Sequence, residues 1–109
     1  MNITKQQYEE MLMIFNTLKN IEYLIITWHN GLKVKCSPFL GMEESDTEPE
    51  DEDYIGEYYT IVDQVEILEE GRDDSIKIDN DGIEINIFTI PDKIETLDGT
   101  VLWGKPKGV

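Results

Sequence analysis

The sequence has one cysteine, one histidine and no apolar stretch long enough to cross a membrane. A lone Cys36 cannot form an internal disulfide, which favours a reducing compartment. The longest apolar stretch, residues 21–28, is interrupted by Glu22 and Thr27 and falls short of the roughly 18–20 residues of a membrane-spanning helix. Residues 1–5 lead directly into a polar helical pattern, so no signal peptide is expected. These absences predict a cytoplasmic protein.

Basic residues are missing from one third of the chain. The net charge is −15, and residues 37–70 contain no lysine or arginine but thirteen of the 24 acids. A negative field of this strength repels phosphate backbones and lipid head groups, which argues against direct nucleic-acid binding and membrane binding. The same field attracts a cationic protein or a metal ion. Acidic stretches also keep proteins soluble, and composition alone does not separate these roles.

Motifs that would mark an enzyme or a cofactor site are absent as well. His29 stands in a predicted turn, where a surface position is more common than a catalytic one. Cys36 alternates in phase with Leu32 and Val34, which indicates a small buried side chain rather than a reactive thiol. The sequence has no glycine-rich phosphate loop, zinc-ligand spacing or dinucleotide fingerprint. We therefore predict a non-catalytic protein without a cofactor.

Residues 79–82, Asp-Asn-Asp-Gly, resemble the middle of a calcium-binding EF-hand loop. With Gly82 at the sixth loop position, Lys77 and Phe88 fall at the first and last positions, where acids are required. The segment is better explained as a β-turn, because all three residue types tolerate turn geometry. We predict no specific metal site, although weak calcium binding by flexible carboxylates of residues 43–53 stays open.

The first twenty residues have the pattern of an amphipathic helix over about residues 4–19. Thr4 and Gln7 have the spacing of a capping box. Lys19 suits the negative end of the helix dipole, and Asn20 can adopt the left-handed conformation that ends a helix. The apolar stripe at helical spacing consists of Tyr8, Met11, Leu12, Phe15 and Leu18.

The rest of the chain has the alternation and turn signals of β-structure. Asn30-Gly31 predicts a type I′ hairpin and Asp98-Gly99 a second hairpin, whereas residues 43–53 predict an exposed loop that is mobile without a ligand. We predict an α+β fold, an N-terminal helix followed by a strongly bent antiparallel sheet, with closed barrel and open sheet both possible. The predicted single domain, 1–109, has a β-region over 21–103 and a frayed tail over 104–109. The strands are expected at 22–28, 32–36, 58–68, 76–79, 83–90, 94–97 and 100–103.

Residues 1–45 resemble the Sm-like small barrel. The resemblance lies in the N-terminal helix, Leu24-Ile25-Ile26-Thr27, the turn at residues 30–31, the strand over 32–36, and Gly41 after it. It implies a small, partly open barrel of the Sm-like or SH3-like kind. Cys36 stands where that family often has glycine. The family's RNA site lies in loops where this chain carries residues 43–53, so the resemblance is taken to imply the fold alone.

The strongest candidate site is the acidic stretch, where nine acids occur among fifteen residues, 43–57. Charges speed encounter with a partner, and neighbouring aromatic side chains can hold it. The alternative is that Tyr58 and Ile61 enter the core where a strand begins, and Trp28 and Trp103 carry the same ambiguity. The predicted partner-binding residues are Glu43, Glu44, Asp46, Glu48, Glu50, Asp51, Glu52, Asp53, Tyr54 and Glu57.

Two functions fit these observations. The first is a non-catalytic protein whose acidic surface binds and blocks a basic protein. Inhibitors encoded by phages or mobile elements, and immunity proteins against basic toxins such as nucleases, have this size and charge. The second is a small-barrel accessory subunit that assembles through sheet edges, with the acidic loop as a solubility device. The sequence predicts neither the identity of the partner nor the oligomeric state.

Overall fold

One helix and an antiparallel sheet make up the fold in the computed structural model, which describes residues 3–18 and 23–105. The sheet is strongly curled into a half-barrel, which confirms the predicted α+β class. The elements are α1 (Lys5–Thr17), β1 (Leu24–Thr27), β2 (Lys33–Pro38), β3 (Glu43–Glu44), β4 (Tyr58–Glu69), β5 (Ile83–Ile85), β6 (Lys93–Thr96) and β7 (Val101–Gly104).

The long strand β4 holds the sheet together. The strand order is β3-β4-β2-β1-β6-β7, and β5 pairs with β4 beside this path. Residues 58–62 of β4 pair with β3 and β5, and residues 62–69 pair with β2. Gln64, at φ 52°, and two register shifts against β2 interrupt the regular ladder. Such irregularities bend a strand, so one strand serves both halves of the curled sheet.

Helix α1 packs on this sheet through the predicted apolar stripe. Its capping box is confirmed: Gln7 N donates to Thr4 Oγ1 at 3.0 Å, and Thr4 N donates to Gln7 Oε1 at 2.8 Å. The hydroxyl of Tyr8 donates to the carbonyl oxygen of Tyr58 at 2.8 Å and so joins the helix to β4. The helix ends at Thr17, whereas the predicted end at Lys19 and Asn20 lies outside the described residues.

The turn between β1 and β2 differs from the predicted type I′ geometry. Only Gly31 of the Asn30-Gly31 pair has a positive φ, at 90°. Trp28 N donates to Leu32 O at 2.9 Å, which leaves a three-residue loop. The physical reason is the side chain of Asn30, which is buried and accepts a hydrogen bond from Leu32 N at 3.1 Å. Type I′ geometry occurs instead at Asn80 and Asp81, whose φ values are 52° and 61°.

One predicted strand is absent from the structure, and another is shorter than predicted. Residues 76–79 form no strand apart from an isolated bridge between Asp79 and Gly82. The strand expected over residues 83–90 stops at Ile85. It stops because Asn86 N donates to Thr89 Oγ1 and Phe88 N donates to Asn86 Oδ1, both at 2.8 Å, which replaces ladder bonds with a side-chain-bonded turn.

The hairpin of β6 and β7 is confirmed, with Gly99 at φ 92° in its turn. The predicted tail begins too early, because Gly104 ends β7 and Lys105 N donates to Asp92 O at 2.7 Å. Residues 106–109 lie outside the described part of the chain, as do residues 21 and 22 at the predicted start of the first strand.

No helix within residues 3–18 and 23–105 is long and apolar enough to span a membrane.

The core lies between α1 and the concave side of the sheet. Trp28 is buried, with its Nε1 donating to Thr89 O at 2.8 Å, which assigns it to the core. Trp103 and Tyr58 are half-buried against the same core. Cys36 is fully buried, and burial raises the pKa of its thiol to about 12. The prediction of a small buried side chain at Cys36 is confirmed.

Candidate partner-binding site at the acidic loop

The acidic loop, residues 43–57, starts and ends on the sheet. The short strand β3, which sequence reasoning missed, pairs Glu43 with Tyr59 and Glu44 with Tyr58. This pairing places the start of the loop beside the residues that follow its end.

Hydrogen bonds close the neck of the loop. The hydroxyls of Ser45 and Thr47 both donate to the carbonyl oxygen of Gly56, and Ser45 N donates to Glu57 O at 2.9 Å. Ile55 N donates to Thr47 Oγ1 at 3.3 Å. None of these bonds involves a carboxylate side chain. The neck is therefore built by two hydroxyls and the backbone.

The tip of the loop is a compact turn. Asp51 N donates to Glu48 O at 2.9 Å, and Glu48 N donates to Asp51 Oδ2 at 2.9 Å. Tyr54 N then donates to Asp51 O at 3.2 Å. The loop is exposed as predicted, and its predicted mobility without a ligand stays a prediction. Its hydrogen bonds give the backbone a defined path from which the acidic side chains project.

Most carboxylates of the loop have no basic side chain paired with them in the part of the protein that the structure describes. Glu57 pairs with Lys5 at 2.9 Å, and this contact raises the pKa of the Lys5 ammonium. Among residues 3–18 and 23–105, none of the other eight acids of the loop lies within ion-pair distance of a basic group. The nine exposed acids, all predicted from the sequence, are Glu43, Glu44, Asp46, Glu48, Glu50, Asp51, Glu52, Asp53 and Glu57.

Aromatic residues lie within the loop and directly after it in sequence, and a further aromatic residue that the sequence did not indicate is exposed in the structure. Tyr54, a predicted binding residue, is half-buried, as are Tyr58 and Tyr59. Sequence reasoning missed Phe88, whose side chain is 70% exposed. The residue before it, Ile87, contacts the loop, since Ile87 N donates to Ile55 O at 3.3 Å. No local pattern could have indicated that contact.

The described residues have no arrangement typical of catalysis or metal binding. His29 is exposed in its turn, and the Cys36 thiol is sealed in the core. Within residues 3–18 and 23–105, no three histidine, cysteine, aspartate or glutamate side chains are grouped so that they could hold a metal ion. The surface has a set of exposed carboxylates on a hydrogen-bonded loop, and a backbone hydrogen bond joins this loop to the turn that carries the exposed Phe88. Such a surface suits a protein partner.

Fold and surface thus describe a small binding protein with a curled antiparallel sheet. The family described as Cognate immunity protein YxxD matches residues 6–107 of the 109-residue chain, and the chain belongs to this family. An immunity protein acts on a cognate toxin, so the predicted immunity-type function with a protein partner is confirmed at that level. No curated protein and no solved structure matches the chain. The resemblance to the Sm-like barrel stays a prediction.

Proposed function

We propose that this immunity protein neutralises its toxin by covering a basic face of the toxin with the acidic loop. The observation that carries the proposal is the uncompensated charge of the loop. Eight of its nine exposed acids have no basic partner within the described residues. A cluster of exposed carboxylates without internal partners is free to pair with basic groups of another protein.

The loop contributes both to encounter and to fit. At physiological ionic strength charges act over a Debye length of about 8 Å, so the concentrated field of the loop steers a basic toxin toward it. We take the neck and tip bonds to hold the backbone in place before binding, contrary to the mobility predicted from the sequence, and this reduces the entropy lost on association. Inhibition then needs no chemistry, because the toxin is blocked by occupation of its surface.

Assembly through sheet edges is the second candidate, and the position of β7 favours it. β7 stands at one end of the strand order, and Val101 is 55% exposed on it. Leu97, in the turn between β6 and β7, is 53% exposed. An edge strand with exposed apolar side chains can pair with another chain. In that case the acidic loop is a solubility device, and light scattering at neutral pH finds a stable oligomer.

The proposal is tested by neutralising the tip of the loop. Glu48, Glu50, Glu52 and Asp53 are changed to their amides, sparing Asp51 because its side chain bonds the turn. The matched control neutralises the same number of exposed acids elsewhere: Glu10, Glu66, Asp79 and Asp81. Both variants have the same net charge, so any difference between them reports on position.

Binding to the cognate toxin is measured by surface plasmon resonance at low and at physiological salt. We expect the loop variant to bind at least ~10-fold more weakly, mainly through slower association, and to show a shallower salt dependence. The control should change affinity by less than ~3-fold. Equal losses of affinity in both variants would show that net charge, and not the position of the acids, determines binding, which would contradict the proposal. Unchanged binding by the loop variant would exclude the acidic loop as the toxin site.

A further inference from the structure

We propose that Phe88 is the apolar anchor of the toxin interface and that it inserts into an apolar pocket bordered by basic groups of the toxin. This inference rests on the proposed function, since it places Phe88 at the edge of the same surface. Its starting point is the 70% exposure of a phenylalanine side chain in water. Aromatic anchors surrounded by polar contacts carry a large share of the energy in many protein interfaces.

The backbone that presents Phe88 is fixed on both sides. Phe88 N donates to Asn86 Oδ1 at 2.8 Å, and Thr89 N donates to Asn86 O at 3.1 Å. The carbonyl oxygen of Thr89 accepts the indole N–H of the buried Trp28 at 2.8 Å, which ties the turn to the core. A side chain projected from a fixed turn loses little backbone entropy on binding, so its burial contributes more fully to affinity.

Contacts of the residue before it join this turn to the acidic loop. Ile87 N donates to Ile55 O at 3.3 Å, and Ile87 Cγ2 lies 2.7 Å from the position a Cβ would take on Gly56. Phe88 and the half-buried Tyr54 are the sequence neighbours of Ile87 and Ile55, the two residues that make this contact. We therefore place Phe88 at the rim of the area that a basic partner seated on the loop carboxylates would cover.

Charge determines whether a second copy of the chain or a basic toxin is the better partner for Phe88. A second copy of the chain would bring another acidic loop, within a net charge of −15, toward the same surface. Like charges brought together oppose such a dimer, whereas a basic toxin is attracted. The matching partner surface is therefore a pocket with apolar walls and lysine or arginine side chains at its rim.

The test compares Phe88→Ala with Phe39→Ala. Phe39 is the matched control, because it is 61% exposed and follows β2 on the other side of β4 from β5. Binding of both variants to the cognate toxin is measured by surface plasmon resonance, and unfolding in urea checks that each variant keeps its stability. Phe88→Tyr serves as the conservative variant, since it keeps the ring.

We expect Phe88→Ala to weaken binding at least ~10-fold through faster dissociation, and Phe39→Ala to change it less than ~3-fold. Phe88→Tyr should retain most of the wild-type affinity. Unchanged dissociation in Phe88→Ala overturns the inference, as does a dimer of the wild-type chain that this substitution makes monomeric. The proposed function has its own readout, since loss of its acids slows association whether or not Phe88 contributes.

Discussion

Gly56 shows how a single residue sets the shape of the acidic loop. Its φ of 102° lies in the region that residues with a Cβ rarely adopt. Its carbonyl oxygen accepts the two hydroxyls of the neck, from Ser45 and Thr47. A Cβ at this position would also collide with Ile87. Loop closure and the contact with the Phe88 turn therefore both depend on the missing side chain.

Replacing Gly56 by alanine should lower the free energy of unfolding by about 2–3 kcal/mol, because a strained φ is combined with a steric clash. The control is Gly99→Ala, at φ 92° but with no atom within 4 Å of the added Cβ. It should cost only about 1 kcal/mol. Urea unfolding of both variants measures the difference, and equal losses would show that Ile87 does not restrict this position.

Hydrogen bonds from neighbouring residues shift the ionisation of the Asp73 carboxyl. Hydrogen bonds from the hydroxyl and amide of Ser75, and then from Asn30, lower the pKa of its carboxyl to about 2. The depressed pKa means that the ionised form stabilises the fold above the ordinary value of 3.8. That stabilisation is lost as pH falls from about 4 through about 2.

Ser75→Ala should return the pKa of Asp73 toward its ordinary value, because the largest of these hydrogen bonds is lost. Carbon-detected NMR of the carboxyl group during an acid titration measures it directly. The Asp98 carboxyl, whose pKa is lowered by Thr96 and Thr100 in a distant turn, is the internal control and should not move. An Asp73 midpoint still near 2 in the variant would contradict this assignment.

At the scale of elements, the neck is the part of the acidic loop that can be tested separately from its charges. Thr47→Val removes the hydroxyl that donates to Gly56 O and accepts from Ile55 N, while keeping the branched shape of the side chain. Amide exchange at Ile55 should become at least ~10-fold faster, since its hydrogen-bond acceptor is lost. Thr47→Ser keeps the hydroxyl and should retain the protection, so equal exchange in both variants would contradict the role of the neck.

Elements that rest on local signals were predictable from the sequence, and those that depend on distant partners were not. The capping box of α1 and the Asp98-Gly99 hairpin are encoded within a few residues. The turn at Asn30 is different, because its side chain donates to Asp73, 43 residues away. The end of β5 is an exception, because the side chains of Asn86 and Thr89 bond backbone groups only two and three residues away, a local signal that the prediction of a strand over residues 83–90 overlooked.

The residues of the candidate site also fall into those that the sequence could predict and those that it could not. Its acids were predictable because charge runs are visible in composition, and their exposure follows from the cost of burying unpaired charge. Phe88 was placed in a strand, and nothing near it in sequence shows that residue 87 meets residue 55. Long-range contacts of this kind require the whole fold.

For the whole molecule, charge and open edges act against each other. The net charge of −15 opposes association of copies at neutral pH, and the isoelectric point is near 4.1. As pH falls toward that value the repulsion disappears while the exposed Val101 stays on edge strand β7. We expect association with a maximum near pH 4, measured by light scattering.

Val101→Lys should suppress this association, since a charged side chain on an edge strand opposes pairing. Thr17→Lys adds the same charge at an exposed position at the end of α1 and is the matched control. Equal suppression by both lysines would show that net charge, rather than the β7 edge, governs association.

The construction of the neck also bears on how such a protein can diverge. Two hydroxyls and the backbone close the loop, and within its tip only the Asp51 side chain is hydrogen-bonded to the turn. Most of the side chains that face solvent can therefore change in size or sign without disturbing the scaffold. If the loop is the toxin site that we propose, a lineage whose toxin alters its surface can follow that change through substitutions in this short segment while the half-barrel stays the same. Under the proposed function, recognition and folding are then encoded in largely separate sets of residues.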